Sequence, residues 1–183
     1  MHDAEAIRRL KRGEIDGLEV LTARYQVRAV RTAYLVLQDE ALAEVVAQET
    51  FLRFFQRIRF FDEARPFEPY LMRSVVNAAL DTVEKLKHET HFDAETDEVE
   101  RLVSQAMSVE AQAERGELQV RILAAIASLP PRQRAVIVQR YYLEMSEAEM
   151  AQALEAPAGT VKWLLNAARS RLRALLKSER SMK

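Results

Sequence analysis

Apolar residues recur at three- and four-residue spacing along most of this chain, and the alternation expected of strands is sparse. The pattern predicts helices over residues 6–15, 18–36, 41–60 and 67–86, with 61–66 interrupting the last two. The densest set of structural signals lies in residues 129–176. Pro130 and Pro131 stop one helix and preset the first turn of the next. Ser146, followed three residues later by Glu149, forms a capping box that starts another. Residues 155–159 supply a break, with Pro157 suited to a first helical turn. Beyond it Val161, Leu165, Ala168, Leu172 and Leu175 form one stripe of a long helix. Thr160, Lys162, Trp163, Asn166, Arg169, Arg171 and Arg173 fall on its other faces.

Two short helices, a tight turn and a long helix with a basic exposed side make the pattern of a helix-turn-helix reader of DNA. In that geometry the N-terminal part of the second helix of the pair enters the major groove. Thr160, Lys162, Trp163 and Asn166 are therefore candidates for base edges. Arg169 and Arg173 lie where phosphate contact is expected, which positions a protein without reading sequence. A plain helical hairpin with a solvated basic face would show the same local pattern.

Composition narrows the class. At 183 residues and 49% hydrophobic content the chain can bury one sizeable core or two small ones. The absence of cysteine excludes a disulfide framework and a thiolate metal site, and suits a reducing, cytoplasmic setting. No stretch reaches transmembrane length and the N-terminus is charged, so neither membrane insertion nor a signal peptide is expected. A net charge of -1 looks wrong for a DNA binder until it is resolved along the chain. Residues 1–88 hold 14 basic and 14 acidic side chains, 89–117 hold 2 and 9, and 118–183 hold 11 and 5. Positive charge is concentrated where the reader sits. The expected fold is all-α: two small helical domains, 1–88 and 118–183, joined by the acidic linker 89–117, the C-terminal one a helix-turn-helix.

Catalysis finds little support. His88 and His91 could share a helical turn, but no ligand set of tetrahedral spacing accompanies them. There is no glycine-rich phosphate loop or nucleophile elbow. The chain reads as a binding protein, not an enzyme, with no cofactor.

A more specific match emerges from motifs in order. Ala43 and Glu44 precede the run Gln48, Glu49, Thr50, Phe51; Arg65, Pro66 and Phe67 precede Pro69, Leu71, Arg73, Asn77 and Asp81. After the acidic segment come residues 129–134, reading Leu-Pro-Pro-Arg-Gln-Arg, and residues 159–162, reading Gly-Thr-Val-Lys. Together these resemble the two-domain extracytoplasmic-function sigma factors of bacterial RNA polymerase, over nearly the whole chain. The resemblance implies that the helix bearing Gln48, Glu49 and Phe51 docks on the polymerase core. It implies that the 61–66 loop captures a base extruded from the promoter minus-ten element, with Phe61, Arg65, Arg73 and Asn77 as its DNA contacts. Phe54, Phe55 and Phe67 are expected in the core. The set Thr160, Lys162, Trp163, Asn166, Arg169 and Arg173 would then read the minus-thirty-five element. RNA polymerase core and promoter DNA are the implied partners, and an anti-sigma protein is a further candidate. The acidic linker would thread into the polymerase near the RNA path, or stay solvated.

Several positions depart from the family pattern. Val45 replaces an acidic residue, Val76 an arginine, and Thr82, Val83, Glu84 and Lys85 a basic cluster. Leu164 and Ala167 stand where arginines are common. Fewer phosphate-neutralising charges mean weaker, less salt-dependent binding. Two other readings stay open at this level: a helix-turn-helix regulator independent of polymerase, and a sigma-like protein that binds polymerase or an anti-sigma protein without initiating.

Overall fold

The computed structural model describes residues 2–89 and 113–178; the middle of the acidic linker, with His91, falls outside this range. All regular structure among the described residues is helical. The chain divides into two compact units, Met1–Val83 and Glu84–Lys183.

The first unit contains α1 (Asp3–Lys11), α2 (Asp16–Leu37), α3 (Glu40–Gln56), a 3-10 turn (Ile58–Phe60) and the start of α4 (Phe67–Glu89). The first helix is shorter than the expected 6–15. Gly13 takes φ of 87°, and the bonds from Gly13 N–H to Leu10 C=O and Glu14 N–H to Arg9 C=O close it as a Schellman motif. Ile15 accordingly leaves the buried stripe and stands exposed. Ala6, Ile7 and Leu10 of α1 pack inward, where α2 can approach because it presents Gly17. A Cβ on Gly17 would lie 2.3 Å from the Ala6 carbonyl oxygen. Gly17→Ala is therefore expected to force the two helices apart and destabilise this unit by about 1–3 kcal/mol. Chemical denaturation of the full chain, followed by loss of helix signal, measures it. Asp3 adds a polar tie, accepting from the Tyr25 hydroxyl at 2.5 Å and from Arg24. Burial first, then that hydrogen bond, pushes Tyr25 up to about 12.

Gln38 reverses the chain between α2 and α3 with φ of 62°, its side-chain amide donating to the Leu35 carbonyl at 3.0 Å. Asp39 then caps α3 by accepting from Leu42 N–H at 2.9 Å. Ala43, Val46, Ala47, Thr50, Phe51 and Phe54 form the buried stripe of α3. The 41–60 helix breaks at Arg57, and the short 3-10 turn changes the period from 3.6 to three residues.

The second unit contains α5 (Ala113–Ala127), α6 (Pro131–Ile137), a π-turn (Val138–Tyr142), α7 (Glu147–Ala153) and α8 (Ala158–Ser178). Residues 113–117, placed in the linker by sequence, already belong to α5. Pro131 occupies the first turn of α6, and Arg134 donates to the Ala127 carbonyl at the end of α5 at 2.9 Å. Burial lowers the Arg134 guanidinium from its usual range. The Ser146 and Glu149 capping box is complete in both directions. Glu155, with φ of 48°, ends α7 as Ala156 N–H reaches back to the Ala151 carbonyl. Pro157 precedes α8 instead of entering it, its carbonyl accepting from Thr160 and Val161 N–H. Leu129, Val136, Ile137, Met150, Val161, Leu165 and Ala168 form the core that fixes α8 against the shorter helices.

Candidate nucleic-acid interface

The core stripe of α8 decides what the helix can offer outward. With Val161, Leu165 and Ala168 buried, Thr160, Lys162, Trp163 and Asn166 come to the surface at its N-terminal end. Trp163 is 65% exposed, far more than an indole needs for packing. Arg171 and Arg173 are exposed farther along, and Arg169 is half-exposed beside Tyr141. This is a polar and aromatic tip followed by cations, suited to base edges and then phosphates. Leu164 and Ala167 are half-buried, and Leu164 packs against the core.

A second surface sits on the loop before α4. Phe54, Phe61, Phe67 and Tyr70 interlock there, with Phe61 edge-on to Phe54 at 5.4 Å and to Tyr70 at 4.9 Å. Phe61, assigned to DNA from sequence, is thereby only 7% exposed and acts mainly as packing. Its neighbour Phe60 is 88% exposed. Ile58 and Phe61 continue the inward stripe of Phe54 at four- and three-residue spacing, which leaves Phe60 outside. Arg57, Phe60, Phe61, Asp62, Arg65 and Tyr70 line an open cavity of about 280 Å³. It offers rings to stack on, guanidinium donors and one carboxylate acceptor, Asp62, which also pairs with Arg65 at 3.6 Å. Phe54 and Phe67 are core as expected, and Phe55 is half-buried.

Arg73 and Asn77 follow on α4, both half-buried. Val76 is fully buried, so its position contributes to the core and is not a DNA-facing site that has lost its charge. Thr82 turns its hydroxyl back to the Ala78 carbonyl at 2.9 Å, while Glu84 is exposed.

On α3 the outer face carries Gln48 and Glu49, with Glu49 paired to Arg53 at 3.4 Å. Phe51, expected at the docking surface, is 6% exposed and belongs to the inward stripe. That stripe was readable from the 43, 46, 47, 50, 51, 54 spacing. The apolar groups that do face outward are Val45 and Leu52, about half-exposed one turn to either side of Gln48 and Glu49. A valine in place of an acid at position 45 thus adds apolar surface to this face.

Comparison with known proteins places these surfaces in a family. The model described as Sigma-70 region 2 matches residues 21–89, and Sigma-70, region 4 matches residues 119–172. The ECF RNA polymerase sigma factor SigW of Bacillus subtilis is 31% identical over 177 residues, 93% of this chain and 95% of that protein. The RNA polymerase sigma-E factor of Streptomyces avermitilis is 30% identical, covering 91% of this chain and 88% of its own. The solved structure of CnrH in complex with the cytosolic domain of CnrY shares the fold, with a TM-score of 0.63 at 22% identity, covering 96% of this chain and 97% of that one.

Proposed function

We propose, since the chain belongs to the extracytoplasmic-function sigma factors of the sigma-70 family, that it is a promoter-specificity subunit of RNA polymerase. It joins the core enzyme, directs it to promoters and takes part in initiation, a binding role carried out with the polymerase in the cytoplasm. The observation that carries this reading is that regions 2 and 4 occur in one chain, each on a unit with an open face suited to its task.

The outer face of α3 docks on the core: Val45 and Leu52 bury apolar area, and Gln48 and Glu49 fix the register. The loop cavity takes the base extruded from the minus-ten element. Extrusion costs a few kcal/mol, and stacking on an aromatic recovers about 1–3 kcal/mol per base. These nearly balance, so the unit holds an opened strand only when polymerase fixes it beside the duplex. Its equal numbers of acidic and basic side chains over residues 1–88 give it little electrostatic pull of its own. Phe60 stacks, Arg65 meets the base edge or its phosphate, and Arg73 and Asn77 guide the strand along α4. On α8, Thr160, Lys162, Trp163 and Asn166 read the minus-thirty-five bases, and Arg169 and Arg173 hold phosphates. An anti-sigma protein is the candidate regulator.

The test is reconstitution. Purified chain added to core polymerase should yield new transcripts from genomic DNA, and their absence would favour a sigma-like protein that no longer initiates. Docking has its own expected result: Gln48→Ala with Glu49→Ala weakens core binding about tenfold, and Leu52→Ala weakens it further. Titrated pull-down of core, with helix content checked in parallel, reads both; unchanged affinity counts against this face.

A further inference from the structure

The arginines of the N-terminal unit repeatedly face carboxylates. Arg9 meets Asp16, Arg12 meets Glu14, Arg24 meets Asp3, Arg28 meets Glu68 and Arg65 meets Asp62. Arg169 on α8 is held differently. Its Nε donates to the Tyr141 hydroxyl oxygen at 2.9 Å, and its guanidinium carbon lies 5.8 Å from the centre of the Tyr141 ring. Among the described residues no carboxylate pairs with it. The difference is electrostatic. A carboxylate partner offsets the charge of an arginine, and an outside anion must compete with it. A hydroxyl and a ring face order the side chain while leaving that charge available.

Donor accounting points the same way. Nε is engaged, which leaves the four N–H groups of the two Nη atoms. The Tyr141 oxygen accepts from Arg169, so its own hydrogen remains to donate. Tyr141 is 59% exposed, and the two sets of donors together suit a ligand rich in acceptors and negative charge. Tyr141 follows the fully buried Gln139 by two residues, about 200° around a helix, and so stands outside beside α8.

We propose that Tyr141 is a positioning residue for Arg169, and that the two side chains clamp one phosphodiester group of duplex DNA. This rests on the reading of α8 as the helix that contacts the promoter. Because the guanidinium is ordered before the duplex arrives, binding avoids part of the cost of immobilising a long side chain.

Holoenzyme assembled with the full chain, titrated onto a promoter duplex over a range of salt, tests the clamp. Tyr141→Phe keeps the ring and removes the hydroxyl. It should weaken binding about three- to tenfold, the usual cost of freeing one such side chain. It should also move the salt slope part of the way toward that of Arg169→Ala, a change that simple loss of stability would not produce. The double variant should be weaker than Arg169→Ala by less than the factor Tyr141→Phe costs alone. Wild-type binding by Tyr141→Phe, or losses that multiply in the double variant, overturn the clamp. If Arg169→Ala and Arg173→Ala weaken binding in the same series, the reading of α8 stands without it; if neither does, both fall.

Discussion

Holoenzyme carrying Phe60→Ala is expected to open promoters about ten- to a hundredfold less well than wild type, the loss of one stacking contact of about 1–3 kcal/mol. The ring is 88% exposed at the rim of the loop cavity, so its removal leaves the hydrophobic core intact and the fold unchanged. Phe61→Ala should behave in the opposite way. That ring meets Phe54, Phe67 and Tyr70, and deleting it should cost about 3–5 kcal/mol of stability. Permanganate reactivity of minus-ten thymines measures opening, and denaturant titration measures stability. Opening by Phe60→Ala equal to that of wild type would remove base capture from this loop, whatever the result at Phe61.

Reversing Lys162, Arg169 and Arg173 to glutamate is the second large effect. Each lost phosphate contact lowers the slope of log affinity against log salt by about 0.9. Losing the two at Arg169 and Arg173 should lower it by about 1.8, and with the base contact of Lys162 reversed as well affinity should fall more than about a hundredfold at moderate salt. The side chains are on the outer faces of α8, away from the stripe of Val161, Leu165 and Ala168, so stability should hardly change. Filter binding or fluorescence anisotropy over a salt series gives the slope directly. A triple variant with the wild-type slope would mean that these cations do not meet phosphate. The remaining charges of 118–183 would then have to be searched for the ones that do.

Local signals made much of this architecture legible. The proline pair, the Ser146 and Glu149 box and the α8 stripe act within a few residues, and each is present in the structure. The linker boundary was legible only coarsely, because α5 begins inside the acidic stretch and charge does not stop a helix. The misplaced side chains share one cause. Phe51 was drawn into the docking face by its place in a family motif, although helical periodicity already assigned it to the core. Phe61 was drawn into the DNA set by its place in the loop, although the spacing 54, 58, 61 already turns it inward and leaves Phe60 outside. Val76 shows the converse: reading a replaced arginine as lost function assumes an outward position, and this one points inward.

The tight reversal at Gln38 and Asp39 bears on the order in which the molecule comes into being. The α2 and α3 helices pack along their length while lying next to each other in sequence, so their contacts close a short loop at small entropic cost. Such a hairpin is expected among the earliest structures to form, and it can do so as the chain leaves the ribosome. The face bearing Gln48, Glu49 and Leu52 is borne on α3 of that hairpin. A nascent chain would carry the surface proposed to bind polymerase before α8 has been translated, which would make engagement of the enzyme the first capability acquired and promoter choice the last.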